Sequence, residues 1–268
     1  MLAHKNLSFI SLFLFFIFFI INDTNASSFE ISPVIYYFDY EEFNTFDVTL
    51  DKEEGYLPGI KFKFSQPVNS NRLIIYTSLY DGTVDYTGGT QSGLKHTTRT
   101  NEQFFQLGFE LVTKKIKPIP GQFIFGIRHF HWDRDILDNN NILGLHEIYT
   151  WNELSIGLTF TTDILNDSYY WASITALHTF NANIEVFLEN TSENLKIDNN
   201  PGFRIHAGKS WLQNKHVSYS VSIITEYWEF GRSNSIFTDD FFGSSVFLTE
   251  PRSESLHTGL EFSYAYHF

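Results

Sequence analysis

From Val34 to its last residue the chain is a run of stretches in which apolar and polar side chains alternate, parted by segments rich in Gly, Pro, Asn and Asp. A strand turns successive side chains to opposite faces, so this period-two pattern predicts strands, and helical periodicity is missing from it. Val34, Tyr36, Phe38 and Tyr40 alternate with Ile35, Tyr37, Asp39 and Glu41. Ile60, Phe62 and Phe64 alternate with Lys61 and Lys63, and Leu73, Ile75, Thr77 and Leu79 with Arg72 and Tyr76. Phe105 to Leu111, Phe123 to Ile127, Leu154 to Phe160, Phe203 to Ala207 and Val217 to Ile223 repeat the scheme. The stretch from Tyr170 to Leu188 reads as one long strand, with a hairpin broken near Asn181 as the alternative. In the last stretch Leu260, Phe262, Tyr264, Tyr266 and Phe268 hold one face, and Glu261, Ser263, Ala265 and His267 the other.

About ten strands result. Short connections follow Phe64, Val112, Phe160 and Trp211, and long ones follow Glu41, Tyr80, Trp132, Leu188 and Phe230, the loop after Tyr80 running to about Thr100. This rhythm predicts an all-β fold, an antiparallel up-and-down transmembrane β-barrel with both termini at the short-turn end. Ahead of it, His4 and Lys5, the apolar run Phe9–Ile21 and the small residues around Ala26 predict a cleavable signal peptide over 1–26. The barrel domain is then 27–268, at the surface of a Gram-negative bacterium.

Composition narrows the function classes. A net charge of −13 disfavours nucleic acid as a partner. Aromatic residues at 18% suit lipid-facing strands with aromatic girdles, and a mean hydropathy of −0.16 is unlike a helical membrane protein. With no cysteine there is no disulfide or thiolate chemistry. The partners expected are outer-membrane lipid and lipopolysaccharide, the barrel assembly machinery, and an extracellular ligand met by the loops. No cofactor is expected.

Charge in hydrocarbon is costly, so charged side chains within the spans should face the lumen and pair there. The alternation assigns to that network Asp39, Glu41, Lys61, Lys63, Arg72, Glu102, Glu110, Arg128, Glu153, Arg204, His206, Glu226 and Glu261, beside Tyr76, Glu147, Trp151 and His257. A lumen this narrow, filled with large side chains, is expected to be mostly plugged.

Candidate chemistry is sparse. Asp81, His96, His129, His131, Asp133 and Asp135 fall near the expected outer rim, where acid and imidazole groups can activate water. His129-Phe130-His131 offers two ligands on one face, too few for a metal. His216-Val217-Ser218 places a histidine near a serine, at the short-turn end, and no G-x-S-x-G occurs. Size and strand number resemble the omptins, outer-membrane proteases, although these spacings match no omptin motif.

Glu229–Ser235 (EFGRSNS), Glu250–Phe262 (EPRSESLHTGLEF) and the YDGT at Tyr80 resemble a group of uncharacterised proteobacterial outer-membrane barrels. That resemblance implies fold and location and transfers no catalytic residue. In outer-membrane barrels the terminal aromatic strand is read by the assembly machinery. Leu260, Phe262, Tyr264, Tyr266 and Phe268 are therefore the expected assembly signal. A non-enzymatic structural, adhesive or ligand-binding surface protein is the expected function, against the alternatives of an omptin-like protease and a narrow pore.

Overall fold

The computed structural model describes residues 27–89, 94–115, 121–139, 142–188, 191–239 and 245–268. The segment expected to be a signal peptide, 1–26, lies outside them. The strands are β1 (Ser28–Phe43), β2 (Thr49–Val68), β3 (Asn71–Gly89), β4 (Lys95–Val112), β5 (Gln122–Ile136) and β6 (Leu145–Thr161). They continue as β7 (Ser168–Phe187), β8 (Ser192–Leu212), β9 (Val217–Ser233), β10 (Ile236–Asp239), β11 (Ser245–Leu248) and β12 (Arg252–His267). Each of β1 to β8 pairs antiparallel with the next, β9 pairs with β12, and β12 returns to β1, closing a barrel. The short strands β10 and β11 form a separate hairpin within the β9–β12 connection. The end holding the chain terminus, where the Phe268 amide donates to the Ser27 carbonyl at 2.9 Å, is called lower here.

The fold is that of a ten-stranded antiparallel barrel of the outer-membrane type. Its wall follows from the alternation. Ile60, Phe62 and Phe64, Leu73 to Leu79, Phe105 to Leu111, Leu154 to Phe160 and Tyr219 to Ile223 face out in the lower and middle part. Ile127, Leu154, Ile156, Ile174 and Ile223 are each about half exposed on that surface. In water such a face would be unfavourable, whereas toward hydrocarbon it meets a matching solvent while the ladder satisfies every backbone group.

The β1 face is a correction. Tyr36, Phe38, Tyr40 and Glu42 are buried in the lumen, while Asp39 and Glu41 stand on the outer wall with Lys52 at 3.4 and 3.3 Å. Both faces of β1 are apolar below Phe38, so alternation alone left the register ambiguous. At Asp39 the strand has already climbed past the apolar belt, and an outward carboxylate there meets water.

The loop lengths are a second correction. The segment expected as a loop from Asp81 to Thr100 is strand on both sides, with Asp85 opposite Arg99 and Tyr86 opposite Thr98. β2 likewise begins at Thr49, so only 44–48 connect it to β1. Above the belt the outward positions turn polar, which hides the alternation, yet Val84 and Tyr86 still bury inward. The barrel wall is therefore tall and its upper connections mostly short; the longest carries the β10–β11 hairpin.

β7 is one strand, and Asn181 marks a bulge rather than a hairpin turn. Asn181 has φ 53°, and the register against β6 shifts between Thr150 and Asn152. The extra residue flips the strand's faces. Leu177 and Thr179 point inward below it, Ala182, Ile184 and Val186 above it.

Several large lumen aromatics lie across the ladder from a glycine: Tyr36 opposite Gly259, Tyr80 opposite Gly59, Tyr76 opposite Gly108 and Trp171 opposite Gly208. A Cβ at Gly259 would stand 2.6 Å from Tyr36 Cδ1 and 2.7 Å from the Ile35 carbonyl oxygen. Gly259→Val should therefore displace the Tyr36 ring and cost about 1–3 kcal/mol, as overpacking does. Gly89→Ala, which meets only the Leu94 carbonyl at 3.5 Å, should leave the barrel unchanged. Melting of the two detergent-solubilised variants, followed by loss of the compact band on a gel, checks the contrast.

Candidate functional site

The lumen is stratified. At the lower end a cavity of about 510 Å³ reaches the mouth, since strand-end residues such as Ser28, Arg72, Thr161 and Leu212 line it. Lys61 pairs there with Glu261 at 3.1 Å and Lys63 with Glu30 at 2.6 Å. His206 Nε2 lies 3.0 Å from Ser222 Oγ. Arg72 lines the cavity at its mouth, exposed.

Above this sits a network from six strands. Arg128 donates to both oxygens of Glu153, from Nε at 2.8 Å and Nη2 at 2.6 Å, and from Nη1 to Glu226 at 2.8 Å. Arg204 donates from Nη2 to Glu110 at 2.7 Å, with Nη1 3.7 Å from Glu226. Tyr76 completes the set through its hydroxyl, 3.4 Å from Glu110. Fork-shaped guanidinium groups suit this task because each presents several donors in fixed geometry. Tyr76, Arg128, Glu153, Arg204 and Glu226 are buried and Glu110 is half-buried, so their charges are compensated mainly by one another.

An aromatic layer lies next. Phe38 and Tyr40 from β1, Phe104 from β4, Phe130 and Trp132 from β5, Tyr149 and Trp151 from β6, and Trp228 and Phe230 from β9 are all at most 2% exposed. Phe130 stacks on Trp151 and Trp132 on Tyr149, each pair with centroids 4.5 Å apart. His257 from β12 sits among them, its ring 4.3 Å from that of Trp228. Leu57, Ile184 and Ala182 fill the remaining wall.

The uppermost layer is acidic. Arg134 alone faces Glu147 at 2.6 Å, Glu42 at 2.9 Å, Glu53 at 3.0 Å and Asp51 at 3.7 Å. Glu250 accepts from the Tyr149 hydroxyl at 2.5 Å, and Glu102 accepts from the Trp132 indole N–H. Burial pushes Asp51, Glu102 and Glu250 well above the usual carboxylate range, and neighbouring acids push the same way. Glu147 is raised as well, by burial first, despite Arg134. One guanidinium cannot balance so many carboxylates, and burial with acid neighbours favours the protonated form of Asp51, Glu102 and Glu250.

Lys61, Lys63, Arg72, Glu102, Glu110, Arg128, Glu153, Arg204, His206, Glu226 and Glu261 thus share the lumen, and Asp39 and Glu41 do not. Glu102 joins the upper acids rather than the Arg128 network. Leu260, Phe262, Tyr264 and Tyr266 face outward, and Phe268 ends the chain about half exposed. The rim set does not converge. Asp81 takes a bond from Gln103 at 3.1 Å, Asp133 meets His146 at 2.9 Å and His129 meets Asn152 at 3.1 Å, all on the convex outer wall. His131 and Asp135 share that face, while His96 is buried inside against Tyr86. Ser218 meets His267 at 2.8 Å rather than His216.

Sequence reasoning missed Glu42, Asp51, Glu53, Arg134 and Glu250. Asp51 to Glu54 reads DKEE, polar at every position, so no face could be assigned. Arg134 was findable, because it lies in phase with Arg128, Phe130 and Trp132 along β5.

No family model and no curated sequence matches the chain, and neither comparison confirms the likeness seen in Glu229–Ser235 and Glu250–Phe262. Among solved structures, the outer membrane protease OmpT from Escherichia coli is similar in fold, with TM-score 0.63 at 8% identity, covering 92% of this chain and 98% of that one. The β domain of the Bordetella autotransporter BrkA (TM-score 0.42, 9% identity, 91% and 100% covered) also matches. So does the Pseudomonas putida toluene transporter TodX (TM-score 0.40, 8% identity, 91% and 90% covered). At such identities the OmpT likeness carries the barrel architecture and nothing of its chemistry.

Two outcomes follow from the layers. Arg128→Ala leaves Glu153 and Glu226 without their shared partner in a buried site, which should cost about 3–5 kcal/mol. Lys114→Ala, in an exposed connection, should cost almost nothing. Thermal unfolding in detergent compares them. Glu102 and Glu250 bind protons more tightly folded than unfolded, so their stabilisation is full at acid pH and lost as pH rises through their raised values. Glu102→Gln mimics the protonated side chain while keeping an acceptor for Trp132. The melting temperature of Glu102→Gln relative to wild type should therefore climb as pH is raised from 5 toward 9, and a difference independent of pH would refute the assignment.

Proposed function

We propose that the chain is a bacterial outer-membrane surface barrel whose lumen is sealed, and which acts through its upper end as a non-enzymatic adhesive or ligand-binding protein. The observation that carries this reading is the aromatic layer. Side chains from β1, β4, β5, β6 and β9 meet across the lumen at nearly zero exposure, between a lower cavity and an upper acidic layer. A pore of this strand number would need a lining of small or polar groups at that level.

On this reading the lower end is periplasmic and the outward aromatic row of β12 is the segment met by the assembly machinery. The apolar belt lies among lipid and lipopolysaccharide. The upper end then presents Phe46, Val48, Phe237 and Phe247, all largely exposed, within an acidic surround. Exposed aromatic groups on a surface that is not lipid-facing suit contact with a partner. Asp81, His129, His131, Asp133 and Asp135 stand on the convex wall while His96 is buried inside, which supports a binding role over an omptin-like hydrolase, where such groups would face one gap.

Planar bilayers test the seal. Wild-type barrel should give no steady openings, whereas a variant with Phe130, Trp151 and Trp228 all changed to Ala should conduct. Steady wild-type openings would overturn the sealed reading.

A further inference from the structure

Lys209 is out of place by the rule that organises the wall. On β8 it belongs to the outward row of Phe203, Ile205, Ala207 and Trp211, directly opposite Tyr170 of β7. Among the described residues it makes no ion pair. Its ammonium instead lies 5.1 Å from the Tyr170 ring centroid and 5.2 Å from that of Trp211. Cation–π contacts of this kind hold a cation in place without neutralising it.

Its height matters. Tyr170, Trp211, Tyr219, Tyr264 and Tyr266 are all exposed outward residues near the lower ends of their strands, which makes a girdle at the depth of lipid headgroups. Beside Lys209 a recess is formed with the β6–β7 turn, which contributes Asp163, Leu165 and Asn166. The turn is fixed by the Tyr170 amide, which donates to Thr162 Oγ1 at 3.0 Å, and by mutual backbone bonds between Leu165 and Ser168. Leu165 is 74% exposed, an apolar side chain offered at the same level. The recess therefore carries one cation, one carboxylate and an apolar edge, on a surface that faces lipid.

We propose that this recess binds the headgroup of a zwitterionic phospholipid bearing a primary ammonium, the phosphodiester on Lys209 and the ammonium on Asp163. An anionic glycerol headgroup would answer Lys209 with its phosphodiester and leave Asp163 without a cation, offering it only neutral hydroxyls. A choline headgroup has no N–H to donate to the carboxylate, and the aromatic faces that would otherwise attract it are occupied by Lys209. The inference rests on the outer-membrane reading above, because it needs the girdle to sit among headgroups.

The test is lipid retention read by native mass spectrometry. Wild-type barrel is first inserted into vesicles of equimolar phosphatidylethanolamine, phosphatidylglycerol and phosphatidylcholine, then extracted in mild detergent. Wild type should keep one phosphatidylethanolamine in preference to the other two. Lys209→Gln should lower that adduct at least five-fold and Lys209→Arg should restore most of it. Asp163→Asn should retain lipid but lose the preference over phosphatidylcholine. Lys215→Gln, a lower-end lysine outside the recess, should behave as wild type. Equal retention of the three lipids by wild type, or an unchanged adduct in Lys209→Gln, would overturn the site while leaving the membrane reading intact. Failure of wild type to enter the vesicles at all would remove both.

Discussion

A closed ladder of ten strands encloses a lumen too wide to be filled by small side chains, and above the lower cavity it is filled by large ones. Everything inside this barrel answers that constraint. Each inward position must supply volume, a partner for its neighbour, or both. The aromatic layer supplies volume, with rings from five strands packed between stacked pairs at 4.5 Å and edge-on contacts at up to about 6 Å, such as Phe38 on Trp132 at 6.0 Å. The cross-strand glycines follow from the same demand. Where Tyr36 or Tyr76 leans across the ladder, the opposing position has no room for a Cβ. Large rings over glycines also pin register, because a one-residue slip would set each ring against a full side chain and turn the whole face outward.

The polar layers meet the constraint differently on the two sides of the rings. Below, guanidinium and ammonium groups match the carboxylates nearly one for one. Arg128 with Glu153 and Glu226, Arg204 with Glu110, Lys61 with Glu261 and Lys63 with Glu30 leave few charges without a partner. That part of the barrel is wrapped by the apolar belt, where an unmatched charge would be most costly. Above the belt the balance is abandoned, and Arg134 is surrounded by acids. Burial and acid neighbours there favour the protonated form of Asp51, Glu102 and Glu250.

Legibility from the sequence tracked the environment of each strand. Where one face met lipid and the other the lumen, as in β2, β4 and β9, alternation was unambiguous, and Lys61, Glu110 and Glu226 could be placed from their neighbours. β1 misled because its lower half is apolar on both faces, and the rule that charge must face inward was applied above the height at which it holds. The upper halves of β3 and β4 were hidden for a related reason. Water on the outer face permits Asp81, Thr83 and Asp85, and a strand that is polar outside and mixed inside looks like a loop. The Asn181 bulge was invisible as a change of face because apolar residues continue in even phase across it, from Ile174 to Val186, even though the strand turns over between them.

The same environmental logic explains why Lys209 stands apart from the other cations. Lys61 and Lys63 are in phase with the lumen and find carboxylates there. Lys209 is in phase with Phe203 and Ile205 and could reach the lumen only by breaking the ladder that sets its direction. A strand has no intermediate solution, since its side chains point to one face or the other. The lysine remains compatible with the wall only because it lies at the end of the row, where the belt gives way to rings and a polar turn. Among the described residues no ion pair balances its charge, and on the outer-membrane reading the chemistry at that height is that of headgroups.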